Sequence, residues 1–280
     1  MGSPYKQQLD EMVWSYSRIT TYANCPAEFK QHYLDDPEHS VDNAFAEFGS
    51  LCHMILEEYE AGQLAEYELL DEYDSRYNEV VCHEFPKMRG TSLGDSYYND
   101  GAAYFESFNG FPESWEILGQ EIEFEVMVGP YRFRGFIDLL VRDRQDQRLI
   151  VVDHKSKNGF HSKKEKTEYA KQLYSYSKYV YEKYGEYPKQ LIFNMFRKQE
   201  LVTIEFSLKD YEATLRWLVA QIDEIYQDLD FWDKITMEYE RKGKDIEDFA
   251  CTDFYCNSLC GCRTSCERSV EYEGGGADAS

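Results

Sequence analysis

Hydrophobic and polar positions change rhythm along the chain. Residues 15–35 read as short helices: Ser15 and Ser17 can serve as N-caps, and Cys25-Pro26 opens a second segment with proline in a first turn. Residues 43–61 carry Phe45, Phe48, Leu51 and Ile55 at helical spacing, which predicts an amphipathic helix. Residues 62–118 are polar and aromatic, and further helices are expected there without firm limits. The pattern then turns to alternation. Ile122, Phe124 and Val126 fall on one face of a strand over 119–128, and a second strand follows over 131–142. Beyond the polar turn RDRQDQ, the run LIVVDHKS has the unbroken apolar stretch of a central strand. Residues 163–184 return to helical spacing, 191–196 and 201–206 read as two more strands, and 208–228 is amphipathic and helical. This order predicts an α/β fold, a small mixed sheet flanked by helices.

A length of 280 residues admits one large domain or two small ones. The pattern divides it into a helical region (1–118), a core (119–230), a cysteine-rich region (231–270) and a flexible tail (271–280). With 42% hydrophobic residues the chain can bury a core, which excludes a disordered or collagen-like protein. Fifty-three acidic residues against 30 basic ones give a formal charge of −23. A general polyanion-binding surface is thereby excluded, and any nucleic-acid site must be a local basic strip. Mean hydropathy is −0.65, and no stretch approaches the ~18–20 apolar residues of a membrane helix. The N-terminal segment has no basic region followed by an apolar run, so no secretory signal is read and a reducing cytoplasm is expected.

Eight cysteines in such a compartment argue against disulfides. Five of them (Cys251, Cys256, Cys260, Cys262 and Cys266) crowd into the last part of the chain, a pattern of metal ligation. Cys52 and Cys82 are expected to be buried structural thiols.

The most informative segment is GFIDLLVRDRQDQRLIVVDHKS. Asp153 and Lys155 are two apart on one strand and so share a face. An antiparallel neighbour brings Asp138 to the same end. Paired carboxylates suit Mg²⁺ or Mn²⁺, and the lysine can polarise a water or neutralise charge on a phosphoryl group. That is the equipment of metal-assisted phosphodiester hydrolysis. Taken alone, an Asp-x-Lys pair is an ordinary strand-end ion pair. Its companions are His53 on the 43–61 helix, and Gln172 and Tyr176, four apart on the 163–184 helix. Each of these alone also reads as an ordinary helix residue.

Together, SYSRITTYANCPAEF, GSLCH, GFIDLLV, VVDHKS and QLYSY resemble, in order, the motifs of the PD-(D/E)xK nuclease superfamily in its RecB-like branch, which includes CRISPR spacer-acquisition nucleases and phage exonucleases. The resemblance spans about residues 14–266. It implies a restriction-endonuclease-like core and a metal-dependent exonuclease of DNA ends, single- or double-stranded. By motif, His53, Asp138 and Asp153 would be metal ligands and Lys155 the catalytic lysine. Gln172 and Tyr176 would match the motif that positions DNA. Glu121 or Glu123 is a further carboxylate outside this set.

The resemblance also implies a [4Fe–4S] cluster held by Cys25, Cys256, Cys260 and Cys266, clasping the two ends of the chain. The C-x3-C-x5-C spacing is one residue longer than the family's, which leaves Cys262 or Cys251 as alternative ligands and Zn²⁺ as the rival metal. The densest positive run, KSKNGFHSKKEK, makes Lys157, Lys163, Lys164 and Lys166 candidates for phosphate contacts. Phage or mobile-element recombination and repair, in a bacterial or infected-host cytoplasm, is the expected setting. The alternatives are a nuclease subunit delivered to DNA by a helicase, recombinase or CRISPR-adaptation partner, and a non-catalytic zinc-binding acidic protein. A homo-oligomer is compatible with either nuclease role.

Overall fold

The computed structural model describes residues 3–35, 40–87, 90, 92–229, 231 and 254–266. Helices α1 (Lys6–Glu11), α2 (Tyr16–Asn24) and α3 (Pro26–Lys30) precede α4 (Ala44–Glu60), α5 (Leu69–Val80) and α6 (Leu93–Ser107). Strands β1 (Trp115–Val128), β2 (Tyr131–Asp143) and β3 (Leu149–Lys155) follow. After α7 (Lys163–Tyr184) come β4 (Gln190–Met195), β5 (Glu200–Glu205), α8 (Leu208–Ile225) and α9 (Phe254–Ser258). The chain forms two compact units: Ala44–Trp217, and Met1–Asn43 together with Leu218–Ser280.

The Ala44–Trp217 unit holds one sheet in the order β1-β2-β3-β4-β5. All neighbours are antiparallel except β3 and β4, which run parallel. A parallel pair needs a crossover, and α7 supplies it. Ser162 caps its start by accepting from the Glu165 amide at 3.1 Å. Gly185 ends it at φ 74°, the left-handed conformation that glycine adopts without strain. The β1–β2 turn likewise places Gly129 at φ 59°. This is the mixed α/β sheet with flanking helices that the pattern predicts.

On α4, Phe48, Leu51, Cys52, Ile55 and Leu56 form one buried stripe. It packs with Leu69, Tyr73 and Tyr77 of α5 and Tyr104 and Phe105 of α6. Each such large apolar side chain contributes about 1.5–3 kcal/mol on burial. This packing puts α4–α6 in one compact unit with the sheet, whereas the sequence pattern divides the chain near residue 118. β1 begins four residues before the alternating stretch, because a register shift between Ile117 and Gly119 interrupts the alternation there. Cys52 is buried as expected. Cys82 is a correction: it lies exposed just beyond the end of α5, where its amide donates to Glu47 Oε2.

In the other unit, Phe29 stacks between Trp14 (centroids 6.2 Å) and Phe231 (6.0 Å). The Tyr22 hydroxyl donates to Asp228 Oδ2 at 2.8 Å. Among the described residues, no helix is long and apolar enough to cross a membrane.

Gly135 on β2 has no room for a side chain. A Cβ there would lie 2.6 Å from Phe124 and 2.9 Å from Tyr176. Gly135→Ala is expected to destabilise the protein by about 1–3 kcal/mol through overpacking, measured as a lowered urea midpoint; an unchanged midpoint would refute the close approach.

Candidate active site

The β2–β3 ladder pairs Leu139 with Val152 and continues to Arg142 and Leu149, stopping short of Asp138 and Asp153. β3 remains paired with β4 as far as Lys155 and Met195. Where β2 and β3 part, a side chain takes over from the backbone: the His154 amide donates to Asp138 Oδ2 at 2.6 Å. The strand amide stays satisfied, and both carboxylates are left at the fork.

Asp153 is 1% exposed. Its Oδ2 is 2.7 Å from Lys155 Nζ, an ion pair too poorly angled to count as a hydrogen bond. Lys155 donates to Gln172 Oε1 at 3.0 Å, and Gln172 Nε2 donates to the Tyr176 hydroxyl at 2.6 Å. The two α7 residues thus brace the lysine as a chain. Burial alone would lower the Lys155 pKa, but the Asp153 and Asp138 charges outweigh it and hold the ammonium above its usual range.

His53 enters from α4. Its Nε2 is 3.2 Å from the His154 carbonyl and its Nδ1 is 3.8 Å from Asp138 Oδ2. Only a protonated Nε2 can donate to that carbonyl, which leaves Nδ1 with a free lone pair facing the carboxylate. Burial, then the neighbouring His154 and Lys155, pulls the His53 pKa down to about 3, so the ring is neutral. Burial, then the Asp153 charge, pushes Asp138 up to about 7.

One residue of this site was set aside in the sequence. Ligand atoms of His53, Glu121 and Asp138 lie within 4.8 Å of one another. Glu121 sits at φ 43°, an unusual conformation for a residue with a side chain. Burial, followed by the Glu57 charge, raises its pKa. Its placement could have been counted out from the turn. β1 pairs Gln120 with Leu139 and Ile122 with Ile137, so Glu121 falls opposite Asp138. Glu123, the other carboxylate considered, pairs with Phe136.

The predicted set of His53, Asp138, Asp153, Lys155, Gln172 and Tyr176 is brought together in one place. An imidazole nitrogen, several carboxylates and a buried carboxylate oxygen without an aligned hydrogen bond fit a hard divalent cation. The four lysines divide. Lys157 pairs with Glu165 at 2.7 Å and lies over Tyr169, and Lys166 donates to the Thr203 carbonyl. Lys163 and Lys164 stand exposed in the first turn of α7.

In the unit formed by the two chain ends, Cys25 caps α3, its sulfur accepting from the Glu28 amide at 3.5 Å. Glu28 accepts from the Tyr255 hydroxyl at 2.8 Å and the Gly261 amide at 3.3 Å. The Val41 amide donates to the Gly261 carbonyl at 2.8 Å. These bonds join the Cys25 segment to the segment of Cys256, Cys260, Cys262 and Cys266. The Cys260 sulfur accepts from the Cys262 amide at 3.4 Å. Bonding to Cys262, then burial, pushes the Cys260 thiol up, and the same bond holds Cys262 down. Amide donors to the sulfurs of Cys25 and Cys260 suit a thiolate-ligated centre. Cys251 lies outside the described residues.

Carboxylates, an imidazole and a braced lysine converging where two strands of a mixed sheet part are consistent with a restriction-endonuclease-like core. The chain belongs to the PD-(D/E)XK nuclease superfamily, whose sequence profile matches residues 13–267. No curated protein matches it. Seventeen chains of solved structures do. One is the crystal structure of a "Putative exonuclease" from Eubacterium rectale, with 12% identity and a TM-score of 0.46 over 79% of this chain and 83% of that one. A likeness that distant adds nothing to the family assignment.

The raised Asp138 pKa sets a pH dependence. The fold holds the Asp138 proton more tightly than the unfolded chain does, with a pKa of about 7 against the usual 3.8. Its contribution to stability is present below about pH 4 and lost as pH rises through about 7. A divalent cation competes with that proton. Thermal melts should show a larger Mn²⁺-induced rise in Tm at about pH 8 than at about pH 5.5, and none in Asp138→Asn. Equal rises at both pH values would contradict this.

Proposed function

We propose that this protein is a Mg²⁺- or Mn²⁺-dependent deoxyribonuclease acting on DNA ends. The observation that carries the reading is the convergence of Asp138, Asp153, His53 and Lys155 at the strand fork. His53, Asp138, Asp153 and Glu121 are the residues that would hold the cation. A cation bound there supplies Lewis acidity, lowering the pKa of a bound water and taking up charge on the leaving oxygen. Lys155 keeps its proton and offers it, as a charge or a hydrogen bond, to the attacking water or a phosphoryl oxygen. Gln172 and Tyr176 aim the ammonium so that it does not collapse onto Asp153 alone. Lys163 and Lys164, just beyond the catalytic strand, are free to meet the phosphodiester backbone, while Lys157 and Lys166 must first give up their present partners. A body of net charge −23 repels duplex DNA over most of its surface. Contact confined to a short strip favours a substrate engaged at its end. The same charge favours, as a second reading, delivery of DNA by a helicase, recombinase or CRISPR-adaptation partner.

The test is digestion of end-labelled linear DNA, single- and double-stranded, beside a closed circle. Metal-dependent loss of the linear substrates alone is expected. EDTA should abolish it, and Lys155→Ala should slow it by about 10²–10⁴-fold, the usual scale for a proton-transfer or charge-stabilising group. Cleavage of the circle would make it an endonuclease. No cleavage by folded protein would turn the reading to the partner-dependent role.

We further propose that Cys25, Cys256, Cys260 and Cys266 hold a [4Fe–4S] cluster, with Cys262 able to replace one of them. The bonded approach of the two cysteine segments supports it. Protein purified without oxygen should be brown, absorb near ~400 nm and carry about four irons per chain. Stoichiometric zinc in place of iron would overturn the cluster in favour of a structural Zn²⁺ site.

A further inference from the structure

Behind the candidate metal site lies a second polar group to which the nuclease resemblance assigns no role. His154 sits between Asp153 and Lys155 and points to the other side of β3. Its backbone serves two of the proposed ligands at once: the amide donates to Asp138 Oδ2 at 2.6 Å and the carbonyl accepts from His53 Nε2 at 3.2 Å. Its side chain is held as firmly. Nε2 is 3.1 Å from Glu60 Oε1. Nδ1 is 3.1 Å from Asn194 Nδ2, which also donates to the Tyr104 hydroxyl at 2.7 Å. The ring stacks on Phe111 (centroids 6.1 Å, 20°) and tilts against Phe196.

The burial of this pair calls for an explanation. The side chains of His154 and Glu60 are 2% and 1% exposed. Placing such groups out of water costs free energy that their mutual attraction at best offsets, and apolar residues of the same volume are often as stable or more so. Their value therefore lies in position. Glu60 is seven residues, two helical turns, after His53 on α4. The helix thus grips β3 at two points, His53 on the His154 carbonyl and Glu60 on the His154 ring. With both in place α4 can neither slide nor turn against the strand, and the separation of His53 Nδ1 from Asp138 is set.

We propose that Glu60, His154 and Asn194 form a clamp of positioning residues that fixes the His53-to-Asp138 geometry and with it the affinity of the site for its divalent cation. This rests on the metal reading given above. Outer partners of metal ligands typically contribute 10–100-fold in affinity.

The test is titration with Mn²⁺ alone, following free Mn²⁺ by electron paramagnetic resonance, beside urea unfolding of each metal-free variant. Glu60→Ala should weaken Mn²⁺ binding about 10–100-fold. Glu60→Gln, which can still accept the Nε2 hydrogen bond, should recover most of it. The double variant Glu60→Leu/His154→Phe keeps the volume and needs no buried charge. It should fold at least as stably as the wild type and still bind Mn²⁺ about tenfold or more weakly, and that separation of stability from affinity is what a merely structural pair would not give. In cleavage assays the Mn²⁺ concentration for half-maximal rate should rise while the saturated rate changes little. A folded double variant with wild-type Mn²⁺ affinity overturns the clamp alone. Wild-type protein that binds no Mn²⁺, or binds it as well as Asp138→Asn does, overturns the metal reading and the clamp with it.

Discussion

One hydrogen bond organises the candidate site: the His154 amide to the Asp138 carboxylate at 2.6 Å. Had the β2–β3 ladder simply continued, a backbone carbonyl would have satisfied that amide and the two strands would have stayed together. Instead an aspartate takes the place of backbone, so the strands part without leaving an amide unpaired. The parting is also what exposes an electrostatic problem. Asp138 and Asp153 face each other across the gap with His154 and Lys155 as the compensating charges, and burial, then the Asp153 charge, raises the Asp138 pKa to about 7. Relief of that repulsion is what a divalent cation bound between the carboxylates would supply.

The helix α4 does two unrelated jobs with one geometry. Its stripe of Phe48, Leu51, Cys52, Ile55 and Leu56 is bound into the core with α5 and α6. The adjacent stripe carries His53 and Glu60 toward β3. Helical periodicity keeps the two stripes at a fixed angle. Anchoring the first therefore aims the second, and the imidazole arrives with Nδ1 toward Asp138 because the core has already oriented the helix. On the other side, α7 is fixed by its Ser162 cap and its Gly185 stop, and its polar pair, Gln172 and Tyr176, reaches Lys155 from a rigid element.

What could be read from the sequence follows from how local each signal is. The strands 131–142 and 149–155 and the helix 163–184 carry strong periodicity or clear caps, and the structure has them within a residue or two. The Asp138, Asp153, Lys155 constellation was visible because i, i+2 spacing and an antiparallel neighbour are nearly all it requires. Glu121 was harder. Its weight depends on hairpin register, and a strand of alternating Glu121, Glu123 and Glu125 looks like any solvated face until the Gly129–Pro130 turn is used as the origin of the count. Glu60 and His154 gave no signal at all. A glutamate late in a helix and a histidine inside a motif are both commonplace, and only the fold, bringing together residues 94 positions apart, makes them partners. Cys82 was misread because a residue just past a helix end inherits no burial from the helix pattern.

The distribution of charge bears on where a polyanion could approach the candidate site. In a strongly acidic protein every cation is valuable, and most of those around this site are already committed. Lys155 is held by Asp153 and Gln172, Lys157 by Glu165, and Lys171 lies over Trp217 beside Glu168. Uncommitted lysines would attract a polyanion wherever they stood, and an acidic surround would repel it. Confining the exposed pair Lys163 and Lys164 to the first turn of α7, the next element after β3, would make the attraction local. Under the proposed nuclease reading, a phosphodiester would be drawn to this strip and repelled from most other faces. On that reading, the same surface that weakens general affinity would also narrow where a bound strand could lie, joining binding to alignment.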